Sequence, residues 1–159
     1  MSPASTHIRR AQAEDCDELT RVAHAAKRFW GYDEQLILLW RADLTLTPAL
    51  VEELEVYCAV DETRIVGFYA LSGEGDEREL EHMWVDPQQM GAGVGRALFE
   101  HLLAHLRQSG ATRLNIESDP NAEGFYRRMG AERIGESPST PAGRFLPVLE
   151  IDLRRRPRA

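Results

Sequence analysis

Cysteine is scarce in this chain: its 159 residues hold two, Cys16 and Cys58, at a separation that fits no metal or redox pair. A disulfide framework is excluded. Two lone cysteines and an N-terminus, MSPASTHIRR, without an apolar segment lead us to expect a reducing, cytoplasmic setting. Long hydrophobic runs are missing too. The most apolar short stretch, Leu36-Ile37-Leu38-Leu39-Trp40, is far too short to cross a bilayer, so a soluble protein with no membrane partner is expected. Positive charge is in deficit, with 19 Lys and Arg against 26 Asp and Glu and a formal net charge of -7. That balance argues against a general nucleic-acid binder, which presents a basic face. No internal repeat and no linker divides the chain, and its length suits one domain, expected over residues 1–153. A basic, solvated tail is expected over residues 154–159.

What the chain does have is a hydrophobic content of 43%, enough for an ordered core, and clear periodicity. A short strand over residues 6–10 precedes a helix capped near Asp15, with Leu19, Val22, Ala23 and Ala26 on one face and Gly31 as its stop. Further helical pieces are expected over residues 33–41 and from Pro48. The period then switches. Strand-like runs at residues 55–60 and 64–71 flank the turn Asp61-Glu62-Thr63, and a third follows at residues 77–85. Val94, Leu98, Leu102 and Leu106 step by four through a helix over residues 95–108. After a strand at residues 113–117, Asp119-Pro120 opens another helix through Ala122, Phe125 and Met129. Last strands are expected at residues 131–135 and 145–153. The order is βα(α)βββαβαββ, an antiparallel meander followed by a helical crossover. It predicts an α/β chain of α+β type: a mixed, mostly antiparallel twisted sheet of six to seven strands with helices on both faces.

The segment richest in chemistry is Met90-Gly91-Ala92-Gly93-Val94-Gly95-Arg96, between a strand and a helix. Alternate glycines permit a tight turn and expose successive N–H groups. The first N–H groups of a helix lack internal partners and carry the positive end of its dipole. Together they form a cradle for phosphate, with the Arg96 charge at its mouth. A Walker loop needs Gly-Lys-Ser/Thr, which is absent, and the Gly-x-Gly-x-Gly spacing departs from the dinucleotide fingerprint. A helix start that needs small residues for packing is the plainer alternative.

Leu80-Glu81-His82-Met83-Trp84-Val85-Asp86-Pro87 followed by residues 90–98 resembles the central cofactor motif of the GNAT superfamily of N-acetyltransferases. Asn121-Ala122-Glu123-Gly124-Phe125-Tyr126-Arg127-Arg128-Met129-Gly130-Ala131 resembles its second, C-terminal motif. Met90 stands where the family usually has Arg or Gln, and Asp119 stands where many members have Asn. The resemblance implies an acyl-CoA-dependent N-acyltransferase that uses acetyl-CoA as cosubstrate and no metal. Met90, Gly91, Ala92, Gly93, Val94, Gly95 and Arg96 would hold the pyrophosphate. Met83, Trp84 and Val85 would line the pantetheine, which pairs with the backbone of Met83 and Val85 as an added strand. Asn121 and Phe125 would complete the cofactor contacts. That arrangement requires the sheet to splay where the strand of Met83 meets that of Asn115.

The reaction has two proton problems. The amine arrives as an ammonium, with an ordinary pKa of about 10.4 for lysine, and the departing thiolate is the base of a thiol near ~8.5. By resemblance Tyr126 is the general acid; a buried aromatic with a satisfied hydroxyl is the alternative. Strand alternation puts Glu79, Glu81, Met83 and Val85 on one face and Leu80, His82 and Trp84 on the other. The family's bases fall at Glu81, taken first, and Glu79, taken second, with burial there raising the carboxyl toward neutrality; solvated strand carboxylates are the alternative. His101 and His105 are read as part of a polar helix face, and no metal is expected. On the acceptor side, Arg28, Trp30 and Tyr32 would wall the pocket, with Arg144 before the last strand. Arg28 or Arg144 could hold an acceptor carboxylate. The acceptor expected is a small-molecule or amino-acid-like primary amine, and a homodimer is compatible with the sequence. A non-catalytic acyl-CoA-binding module and a protein or peptide N-acetyltransferase are the competing readings.

Overall fold

The computed structural model describes residues 6–155. The strands are β1 (Thr6–Arg10), β2 (Glu55–Asp61), β3 (Arg64–Ser72), β4 (Glu77–Val85), β5 (Arg113–Glu117), β6 (Glu132–Pro138) and β7 (Phe145–Asp152). The helices are α1 (Cys16–Phe29), α2 (Glu34–Leu39), α3 (Pro48–Glu53), α4 (Val94–Gln108) and α5 (Glu123–Arg128). They build a seven-stranded sheet in the order β1-β2-β3-β4-β5-β7-β6. Strands β1–β2, β5–β7 and β6–β7 pair antiparallel and β4–β5 pair in parallel, as the crossover through α4 demands. The chain groups into two compact units, one containing His82–His101 and all described residues up to Ala70, the other containing Leu71–Glu81 and the residues from Leu102 onward.

In the first unit α1 lays Leu19, Val22 and Ala23 against Val56, Cys58, Val60, Phe68 and Ala70 of β2 and β3. The opposite face of β3 meets α4. A methyl added at Gly67 would lie 2.9 Å from Leu98 Cδ1 and 3.2 Å from Val94 Cγ1, and Tyr69 Oη is 2.7 Å from His101 Nδ1. Helices thus cover both faces, because β3 is apolar on each side. Caps fix the short helices: Asp33 accepts from Leu36 N and Thr47 from Leu50 N.

In the second unit β7 inserts between β5 and β6, with Leu114, Ile116, Leu149 and Ile151 buried. Strand β6 runs to Pro138, three residues beyond the expected end at Gly135, and carries a register shift between Arg133 and Gly135. The expected helix from Asp119 is divided: a 3-10 turn over Pro120–Ala122, capped by Asp119, precedes the six-residue α5. Of the basic tail, Arg154 pairs with Asp152 at 3.0 Å; residues 156–159 lie outside the described residues. Among the described residues no helix is long and apolar enough to cross a membrane.

Candidate active site

The candidate residues divide between the two units, and each set has its own geometry. In the first unit β4 ends at Val85, and Asp86 begins the approach to the glycine loop. Asp86 is buried (6% exposed). Its N–H donates to Val66 O at 2.9 Å, and its Oδ1 accepts from Gln88 N at 3.0 Å, which caps a 3-10 turn over Pro87–Gln89. Gly91 and Gly93 follow with φ of 84° and 83°, a left-handed conformation that side chains disfavour. Helix α4 starts at Val94, and its first i→i−4 bond runs from Ala97 N to Gly93 O (3.0 Å). The N–H groups of Val94, Gly95 and Arg96 therefore precede the helical ladder. Apart from the adjoining residues, no atom lies within 4 Å of a Cβ built on Gly91 or Gly93, so the space beside the loop backbone is open. That is the fit a pyrophosphate group needs, with backbone donors, a helix N-terminus and room for close approach. Arg96 bonds Glu100 at 2.9 Å with both side chains exposed. Met90 is exposed as well and offers no polar atom.

Trp84 lies on the α1 side of β4. Its indole Nε1–H donates to His82 Nδ1 at 3.1 Å, so neutral His82 carries its proton on Nε2 and has no lone pair there to act as a base. The ammonium of Lys27 sits 4.4 Å from the centroid of Trp40, 4.8 Å from Tyr32 and 5.9 Å from Trp84. Lys27 is 7% exposed and is the only lysine of the chain. Tyr32, expected to wall an acceptor pocket, packs edge-on to Trp40 at 4.9 Å. Trp30, half-buried, packs edge-on to Phe29 at 5.4 Å. Arg28 pairs with Glu34 at 3.4 Å on the surface.

In the second unit β4 pairs with β5 from Glu77↔Arg113 to Leu80↔Ile116. Asn115 stands opposite Glu79, not Met83, and the registered pairs stop at Leu80. Glu79 and Glu81 are both exposed, so the burial expected to shift them is not found in this chain. Alternation from Glu77 to Glu81 does hold, with Arg78 and Leu80 buried on the opposite face. Glu81 Oε1 accepts from Ser72 Oγ at 2.6 Å, a contact that sequence spacing alone gave no reason to expect.

Tyr126 is 6% exposed. Desolvation, with a smaller contribution from the Asp119 charge, pushes its phenol well above the ordinary tyrosine range. Its ring packs edge-on to Phe125 at 5.4 Å. Asp119 accepts from the backbone N and the Nδ2 of Asn121, both at 2.9 Å. Arg144 pairs with Asp119 at 3.7 Å and donates to Ser139 Oγ at 3.1 Å, contacts within its own loop region. His101, on α4, faces Tyr57 at 4.9 Å as well as Tyr69, an aromatic cluster in place of the exposed polar face expected.

Residues 43–146 match the Acetyltransferase (GNAT) domain family. The chain belongs to the GNAT acetyltransferases. This GNAT chain is 32% identical over 146 residues to the peptidyl-lysine N-acetyltransferase YjaB of Escherichia coli K12, covering 91% of its own length and 94% of that protein. It is 28% identical over 133 residues, 82% of its length and 89% of the other, to the 5-NmdU N-acetyltransferase of Pseudomonas phage PaMx11. Its fold matches the crystal structure of the PaiA N-acetyltransferase of Thermoplasma acidophilum in complex with coenzyme A, with a TM-score of 0.78 at 17% identity over 93% of this chain and 99% of that one. The GNAT chain is an N-acetyltransferase.

Proposed function

We propose that the chain transfers the acetyl group of acetyl-CoA directly to the side-chain amine of a lysine in a peptide or protein. The observation that carries the cosubstrate is the loop, with left-handed Gly91 and Gly93 feeding the N-terminus of α4 and open space beside them. The lysine acceptor is supported by the peptidyl-lysine N-acetyltransferase matched over nearly the whole of both chains. A small-molecule amine is the alternative arm of the same test.

Acetyl-CoA supplies the activated thioester. The N–H groups of Gly91, Gly93, Gly95 and Arg96 would hold its pyrophosphate, with the Arg96 side chain, now paired with Glu100, at the mouth of the loop. The backbone of Met83 and Val85, at the end of β4, would pair with the pantetheine amides. The Met83 N–H donates to the carbonyl oxygen as charge develops there. Glu81, seconded by Glu79, takes one ammonium proton through water; the amine then attacks, the N–C bond forms, the C–S bond breaks, and the excess proton left on the nitrogen passes to the departing thiolate. By its match to the family's tyrosine, Tyr126 would serve as the donor to the leaving sulfur. Its raised pKa widens the gap to a thiol near ~8.5, so Tyr126 stabilises the thiolate by donating a hydrogen bond and keeps its own proton for most of the step. A reducing, cytoplasmic setting suits both this cosubstrate and the free thiols of Cys16 and Cys58.

A thiol-release assay with acetyl-CoA and a panel of lysine peptides and small amines tests the reading. Turnover is expected with lysine peptides, and Tyr126→Phe is expected to lower kcat about 100-fold with CoA affinity unchanged. Acetyl-CoA binding with no release to any acceptor would instead identify a binding module.

A further inference from the structure

We infer that Arg21, on α1, is a positioning residue for the cofactor loop, acting through the buried carboxylate of Asp86; this rests on the reading of residues 90–96 as the pyrophosphate cradle. Arg21 Nη1 donates to Asp86 Oδ2 at 3.0 Å and Nη2 donates to Ile65 O at 3.1 Å. Arg21 Nε bonds Glu18 Oε1 at 3.2 Å, and Glu18 Oε2 accepts from Ile65 N at 2.9 Å. One residue pair of α1 thus clasps both backbone groups of Ile65 and one oxygen of Asp86. The other Asp86 oxygen accepts from Gln88 N and sets the turn that delivers the chain to Met90 and Gly91. The Asp86 side chain is 8% exposed, so its charge is stabilised by these donors and not by bulk water. Arg21 is 65 positions from Asp86, yet it fixes the orientation of the carboxylate that ends β4.

The consequence is a division of labour. Asp86 would serve as a turn cap in any chain, but a cap whose carboxylate is free to rotate leaves the following glycines free to sample other turns. Glycine at residues 91, 93 and 95 supplies no stiffness of its own. With Arg21 in place the loop N–H groups are preorganised before the anion arrives; without it that ordering falls on binding. Arg21 touches neither the reacting atoms nor the bound group, so its loss acts on cofactor affinity and not on the chemical step.

Arg21→Met keeps the length and apolar stem of the side chain. It is expected to raise KM for acetyl-CoA and Kd for CoA by calorimetry about tenfold, with kcat at saturation within about twofold. Arg21→Lys is expected to restore part of the affinity. Arg21→Met with Asp86→Asn removes both charges while leaving Asn able to cap Gln88; it separates a stranded carboxylate from a misplaced loop and is expected to recover stability but not affinity. Unchanged Kd in folded Arg21→Met overturns the inference, as does a fall in kcat at unchanged KM. Gly93→Val is the control on the underlying reading. If it too leaves CoA binding unchanged, the cradle assignment fails; if it abolishes binding while Arg21→Met does not, only the role of Arg21 fails.

Discussion

Glu81 does not stand alone on its strand. Ser72 Oγ donates to it at 2.6 Å, and the Ser72 carbonyl accepts from Nε of Arg78 at 3.2 Å, a guanidinium that is itself buried. The Ser72 backbone is therefore anchored beside the hydroxyl. A glutamate loses much rotamer freedom when held, so in the proposed mechanism Ser72 would fix one Glu81 oxygen and leave the other for proton transfer. Ser72→Ala is expected to lower kcat about five- to tenfold, the scale of one charge-assisted hydrogen bond, with KM for acetyl-CoA unchanged. Ser72→Thr, which keeps the hydroxyl, should recover most of the rate. In a Glu81→Gln background the Ser72→Ala effect should vanish, as steady-state rates on the four proteins of the cycle would report. Equal slowing in both backgrounds would move the role of the hydroxyl away from Glu81.

At the scale of elements, the approach of α4 to β3 depends on one missing side chain. Gly67 has no left-handed φ, and on backbone entropy alone alanine there would stabilise the fold by about 0.4–1 kcal/mol. Space reverses the sign. The new Cβ would meet Leu98 Cδ1 at 2.9 Å and, at 3.1 Å, the carbonyl oxygen of Trp84, which as backbone cannot step aside. Gly67→Ala is expected to destabilise by about 1–3 kcal/mol, read from urea midpoints, and to weaken CoA binding, because the helix turn displaced is the one that follows Gly93. The sequence makes α4 legible through its four-residue stepping and makes the loop legible through its glycines. It also makes β4 legible through the alternation of Glu79 and Glu81 with buried neighbours. It does not make β6 legible past Gly135, since Glu136-Ser137-Pro138 lies on the sheet's edge strand, largely exposed, and carries no apolar period. Nor could it show that Tyr32 belongs to a box around Lys27 whose other walls, Trp40 and Trp84, come from distant positions. The partners of Arg21 and Arg144 were hidden for the same reason. A helix face shows which residues are polar, and only the packed chain shows which carboxylate each one meets.

For the whole molecule the deciding quantity is charge. A formal net charge of -7 attracts a lysine peptide and repels acetyl-CoA, so the two substrates should respond to salt in opposite directions. In the proposed reading the loop would answer the repulsion locally, with backbone N–H groups and a helix terminus that salt screens less than separated surface charges. The acceptor has no such built donor set among the residues identified above, and Glu79 and Glu81 stand exposed on β4. Long-range attraction is thus left to bring the acceptor in. At saturating acetyl-CoA, kcat/KM for a lysine peptide of net charge +3 is expected to fall about three- to tenfold between about 0.05 M and 0.5 M NaCl. Over that range the screening length drops from roughly 14 Å to 4 Å. The kcat for the same peptide should change less than about twofold, and an uncharged-flank peptide carrying one lysine should show a shallower slope. Equal slopes for the two peptides would mean that the acceptor is recognised at short range, and a steeper loss for an acidic acceptor would point away from lysine peptides altogether.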